Sequence, residues 1–97
     1  MAVYYVIDIS IHDLENYKKY VGLVPALIEK HGGKYLVRGA EAEIKEGNWK
    51  PERLVVLEFP TREQATSFFD DPEYQPVAAI RRAASTTRMV LVDGYEG

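Results

Sequence analysis

From Val3 to Ile11 two sets of side chains alternate: Val3, Tyr5, Ile7, Ile9 and Ile11 are all apolar, and Tyr4, Val6, Asp8 and Ser10 lie between them. A two-residue period is that of a β-strand, whose successive side chains point to opposite faces. The period then changes. Leu14, Tyr17, Tyr20, Val21, Val24, Leu27, Ile28 and His31 recur at three- and four-residue spacing, one stripe of a helix with Asp13 as its N-cap and Gly32-Gly33 as its stop. Pro25 falls inside the stripe, where it removes one backbone hydrogen bond and crowds the preceding turn. A kink or short break is therefore expected around residues 21–22.

Two further strands are predicted at Lys34–Arg38 and Arg53–Phe59, separated by a loop over 39–52 that is long for a hairpin. Thr61 and Gln64 form a capping box ahead of a helix with Ala65, Phe68 and Phe69 on its apolar side. Asp71-Pro72 restarts a helical phase through Tyr74, Val77, Ile80, Arg81 and Ala84. Residues 87–93 read as the last strand and 94–97 as a loose tail. The order strand, helix, strand, strand, helix, strand predicts an α+β, ferredoxin-like βαββαβ fold, a four-stranded antiparallel sheet with its helices on one face.

In that fold the apolar side of the first strand joins Tyr35, Val37, Val55, Leu57 and Phe59 under the helices. The other face carries Tyr4, Val6, Asp8, Ser10, Leu36, Arg38, Leu54, Val56 and Glu58, too apolar a set to stand in water. A second copy covers it most simply, and two facing sheets make a dimeric α/β barrel. A homodimer through the helix-free sheet face is the expected assembly.

The charged members of that face are the candidate chemistry. Arg38 alternates with Leu36, and Glu58 with Leu54 and Val56. An ion on an apolar wall must find a partner or water, because desolvating it alone costs several kcal/mol. One reading is a pocket in which Arg38 holds an anionic or carbonyl oxygen while Glu58 or Asp8 is the general base. The other is a buried salt bridge that fixes strand register. Trp49 and Arg53, in and beside the long loop, are candidate lid and rim. Tyr20 and Tyr74 are aromatics whose hydroxyls could reach a ligand. His31, at the helix end, is a base candidate, although free carbonyls and the helix dipole give it a structural role there. Arg81, Arg82 and Arg88 read as a solvated basic surface.

Composition narrows the function classes. The 97 residues make a single domain, 1–97, able to bury roughly 65% of its unfolded surface. A hydrophobic share of 46% with 28% charged residues argues against disorder. A net charge of −3 leaves no electrostatic footprint for nucleic acid or an anionic membrane. Cysteine is absent, and His12 and His31 are not in metal-ligand spacing, so no metal site is expected. No glycine-rich phosphate loop precedes a helix, and no cofactor is expected. With no signal-peptide pattern and no apolar run of ~20 residues, the expected location is cytoplasmic.

Five stretches together resemble a known family: His-Gly-Gly-Lys-Tyr-Leu-Val-Arg-Gly at 31–39, Glu-Gly-Asn-Trp-Lys-Pro-Glu-Arg at 46–53, Val-Leu-Glu-Phe-Pro at 56–60, Asp-Pro-Glu-Tyr-Gln at 71–75 and Arg-Arg-Ala-Ala at 81–84. Nearly end to end, the chain is similar to the bacterial domain of unknown function family 1330. The resemblance implies the same dimeric ferredoxin-like barrel and no agreed activity. The wider barrel superfamily includes cofactor-free monooxygenases, haem-degrading enzymes, isomerases and ligand sensors, a fold-level analogy only. Two functions stay open: a cofactor-independent enzyme acting on a small organic acid or carbonyl compound, and a non-catalytic dimeric module that binds a small ligand or a partner.

Overall fold

The computed structural model describes residues 1–96. Its elements are β1 (Val3–Ile11), α1 (Leu14–Lys30), β2 (Lys34–Arg38), β3 (Arg53–Phe59), α2 (Arg62–Asp70), α3 (Tyr74–Ala84) and β4 (Ser85–Asp93). All strand pairs are antiparallel and the sheet order is β2-β3-β1-β4, as a ferredoxin-like fold requires. The last strand begins two residues earlier than expected. It leaves α3 directly, with the Ser85 hydroxyl donating to the carbonyl of Arg81.

One face of the sheet is covered by helices. Val3, Tyr5, Ile7 and Ile9 of β1 and Val55, Leu57 and Phe59 of β3 pack there against Tyr17, Tyr20, Val24, Leu27 and Ile28 of α1. Phe68 on α2 lies 5.3 Å from the Phe59 ring and 4.5 Å from the ring of Tyr74 on α3, so one aromatic cluster ties the sheet to both later helices. Burial of such side chains, at about 1.5–3 kcal/mol each, drives this assembly. The helix starts follow local chemistry. Asp13 accepts from the backbone N–H of Asn16, and Thr61 from that of Gln64. Asp71 accepts from the N–H of Glu73, which turns the chain from α2 into α3.

Two expectations fail, each for a local reason. The helix α1 runs unbroken through Pro25. The lone missing hydrogen bond is outweighed by the buried stripe on either side of it. The second failure moves a candidate residue. Lys34 pairs with Glu58 and Tyr35 with Leu57, but Val37 then pairs with Val56 and Arg38 with Val55. Leu36 is thus an extra residue, a β-bulge, and a one-residue slip exchanges the two faces of everything beyond it. Val37 moves to the register of the helix-free face, and Arg38 to that of buried Val55.

Candidate functional site

The helix-free face holds two charged clusters, both internally paired. Asp8 and Arg88 are opposite one another on β1 and β4, and Arg88 Nη2 donates to Asp8 Oδ2 at 2.6 Å. The indole N–H of Trp49, reaching in from the long loop, donates to the same oxygen at 3.0 Å. These two donors, Trp49 first, hold the Asp8 carboxyl below its ordinary range. With Val6, Leu54 and Val90 the three residues line an open groove of about 550 Å3. Four residues along β1, the Tyr4 hydroxyl donates to Glu58 at 3.1 Å and Lys34 Nζ lies 3.3 Å from the other Glu58 oxygen. At about 3.4 Å per strand residue the two clusters lie about 14 Å apart along β1, too far to share a proton within one protomer.

The covered face holds the opposite arrangement. Between the sheet and α1 lies a small pocket lined by Tyr17, Tyr20, Tyr35, Arg53 and Arg81 on a wall of Ile7, Val24, Ile28 and Leu57. Its free volume, about 20 Å3, has room for roughly one water. The Arg53 guanidinium sits 5.6 Å from the ring centre of Tyr17, and that of Arg81 sits 5.8 Å from the ring centre of Tyr20. Arg53 is steered there by the chain itself: Gly39 adopts a positive φ of 77°, and the guanidinium packs where a Cβ on residue 39 would stand. The hydroxyls of Tyr20 and Tyr74 share a hydrogen bond of 3.1 Å. Burial pushes the hydroxyl pKa of Tyr17, Tyr20 and Tyr35 upward, so all three stay protonated at neutral pH.

Tyr35 and Ile28 are shared walls. On their outer side is a second groove of about 370 Å3 that also takes in Pro25, Glu29, Lys34 and Arg38. The Arg38 guanidinium stacks 4.5 Å from the Tyr35 ring centre in this outer groove.

The eight residues singled out in the sequence therefore divide among four places. Asp8 and Trp49 meet on the helix-free face, and Glu58 lies on that face with other partners. Arg53 and Tyr20 line the covered pocket, and Tyr74 meets it only through its hydrogen bond to Tyr20. Arg38 stands in the outer groove beside Tyr35, so the juxtaposition expected of Arg38 and Glu58 does not occur. His31 is at neither: its Nε2 is 2.8 Å from Asp71 Oδ2, an oxygen that also accepts from Lys30 at 2.8 Å. That cluster ties the end of α1 to the α2–α3 turn. Arg81 and Arg88, read as solvated surface, are respectively buried in the pocket and paired with Asp8. The signal for Arg81 is its place in the helical phase of Tyr74, Val77 and Ala84, which the reading of its charge as surface overrode.

Chemically the two places differ. The groove offers a carboxylate already neutralised by its neighbours. The pocket offers positive charge and neutral hydroxyl donors in an apolar setting, a combination suited to stabilising negative charge on a bound molecule. Among the described residues no group of three histidine, cysteine or acidic side chains is placed to hold a metal ion.

The comparisons with known proteins agree with the fold. A family model, the domain of unknown function DUF1330, matches residues 2–95. The chain belongs to this family. A DUF1330 assignment brings no activity with it, and no curated protein matches the chain. Among solved structures, a protein of unknown function from Rhodopseudomonas palustris superposes with a TM-score of 0.83 at 16% identity, over 99% of this chain and 84% of that one. A dimeric ferredoxin-like protein of unknown function from Jannaschia sp. CCS1 gives a TM-score of 0.73 at 8% identity, over 97% and 100%. SnoaB, a cofactor-independent oxygenase from Streptomyces nogalater, gives 0.66 at 15% identity, over 99% and 95%. At these identities the likeness is one of fold.

Proposed function

We propose that this DUF1330 chain works as a homodimer, joined through its helix-free sheet faces, and that each protomer binds a small organic acid or carbonyl compound in the pocket beneath α1 and acts on it without a resident cofactor. The observation that carries the reading is the pocket itself, a gap lined by three tyrosine rings and two guanidiniums inside an otherwise close-packed core. The Tyr35 ring is the wall that must move for an organic molecule to enter from the outer groove. Support for the dimer comes from the exposed apolar side chains of the helix-free face, Val90, Val92 and Trp49, and from the dimeric relative of the same fold.

A second reading, binding without catalysis, is favoured by one feature. The described residues that line the pocket include no carboxylate and no histidine, so the chain supplies no obvious proton acceptor there. Both readings share a test. Mass spectrometry of the purified protein under native conditions should find a dimer carrying a small molecule. Val21→Phe, which overfills the pocket from α1, should lose that molecule and keep the dimer. A monomeric protein, or a molecule retained equally by Val21→Phe, would refute the assignment.

A further inference from the structure

We infer that the pocket beneath α1 takes its ligand as an anion, an organic carboxylate or enolate, whose charge is met by the buried guanidinium of Arg81 with Arg53 as a second cation. This rests on the pocket being the ligand site, and narrows its occupant from acids and carbonyl compounds to negatively charged ones.

Arg81 is 4% exposed, and its Nε is buried without a hydrogen-bond partner; the Nε of Arg53 is in the same state. Neither arginine enters an ion pair among the described residues, and none of the pocket's described lining is acidic. A buried lysine escapes such a position by losing its proton. A guanidinium does not, so its charge has to be met by something. The Tyr17 and Tyr20 rings beside the two guanidiniums compensate only in part.

What is missing has a recognisable form. The planar fork of a guanidinium matches a carboxylate with two parallel hydrogen bonds, stronger than those to a neutral carbonyl. In the Tyr20–Tyr74 pair one hydroxyl donates to the other, which leaves one hydroxyl hydrogen free for an acceptor. The aliphatic wall of Ile7, Val24, Ile28 and Leu57 suits an apolar body behind the charged end. In the outer groove Arg38 adds cationic charge where an anion would arrive, while Lys34 there is paired with Glu58 and Glu29 is the acidic neighbour.

The test uses the full chain in chloride-free buffer and three matched pairs of probes: formate and formamide, acetate and acetamide, benzoate and benzamide. Binding is read by titration calorimetry and by the thermal unfolding midpoint. At least one acid should bind and raise the midpoint while its amide does neither. Arg81→Gln should weaken that acid about 100-fold, on the scale of breaking one buried charged hydrogen-bonded pair. Arg81→Lys should recover part of the loss, and Arg53→Gln provides a second variant if Arg81→Gln does not fold. Amides that bind as tightly as their acids would overturn the anion while leaving the pocket as the site. An acid bound equally by wild type, Arg81→Gln and Arg53→Gln would place the anion elsewhere. Saturation by chloride with no competition from any carboxylate would make the occupant an inorganic ion and overturn the organic class. No response to any acid or amide would overturn both this inference and the reading beneath it.

Discussion

The two faces of the sheet treat charge in opposite ways. On the helix-free face Asp8 has Arg88 and Trp49, and Glu58 has Lys34 and Tyr4, so each carboxylate there is matched within the chain. On the covered face Arg53 and Arg81 lie against tyrosine rings with no acid beside them. Within one protomer the paired face is the more exposed one, where an unpaired ion would cost least. The unpaired face is the more buried, where it costs most. Stability alone would arrange the charges of one protomer the other way round, and under the proposed function that difference is stability given up for a ligand in the covered pocket.

The largest effect that would break this contrast comes from Arg81. If its charge is an uncompensated burden in the empty protein, Arg81→Met should stabilise the ligand-free chain by roughly 1–4 kcal/mol, on the scale seen when apolar side chains replace buried charges. Urea unfolding measures it through a raised midpoint at unchanged slope. A destabilised Arg81→Met would mean that the guanidinium is satisfied within the fold. Next in size is Tyr74→Phe, which removes one partner of the buried Tyr20–Tyr74 hydrogen bond and strands the other hydroxyl. The expected cost is about 1–3 kcal/mol, and Tyr20→Phe combined with it should cost less than the sum of the two. Additive losses would show that the two hydroxyls do not act as a pair.

A smaller effect sharpens the contrast from the other face. Asp8→Asn keeps an acceptor for Trp49 but removes the charge opposite Arg88, whose side chain is 75% exposed. Arg88 can turn to water, so the loss should be no more than about 1 kcal/mol in the monomer. If the helix-free faces meet in a dimer, the same substitution acts on a desolvated pair, and its cost should grow with protein concentration. A cost independent of concentration would separate this face from the interface.

These regions were not equally legible in the sequence. The strands and helices, the sheet order and the apolar side of β1 follow from periodicity and capping, since Val3, Tyr5, Ile7 and Ile9 have nowhere else to go. The capping pairs at Asp13 and Thr61 are local chemistry and are read directly from spacing. The site was harder. The expected meeting of Arg38 with Glu58 assumed unbroken alternation in β2, and the bulge at Leu36 undoes it with no glycine or proline inside the strand to announce it. The burial of Arg81 was visible only as a helical phase that ordinary charge reasoning overrules. The approach of Arg53 to Tyr17 depends on the turn at Gly39, and the contact of Trp49 with Asp8 on the path of a long loop; both are tertiary facts.

Acid offers the last and gentlest way to set the two kinds of charge apart. Carboxylates titrate and guanidiniums do not, so lowering the pH dismantles the paired clusters and leaves Arg53 and Arg81 untouched. Asp71, bound by Lys30, His31 and the N–H of Glu73, has its carboxyl held far below the ordinary range, and Asp8 is shifted the same way by Trp49 and Arg88. With the folded values depressed, the unfolded chain binds more protons below its own carboxyl value of about 3.9, so stability rises with pH across that window. The contribution is fully present well above pH ~4 and is lost as the pH falls toward the folded values. Urea midpoints measured from pH 6 to pH 2.5 should therefore fall steeply for wild type below about pH 4, and less steeply for Asp71→Asn and for Asp8→Asn. Arg81→Met should keep the wild-type acid slope and be offset upward at every pH, because the group it removes does not titrate there. An Arg81→Met curve that converges on wild type in acid would show that the guanidinium had a carboxylate partner after all.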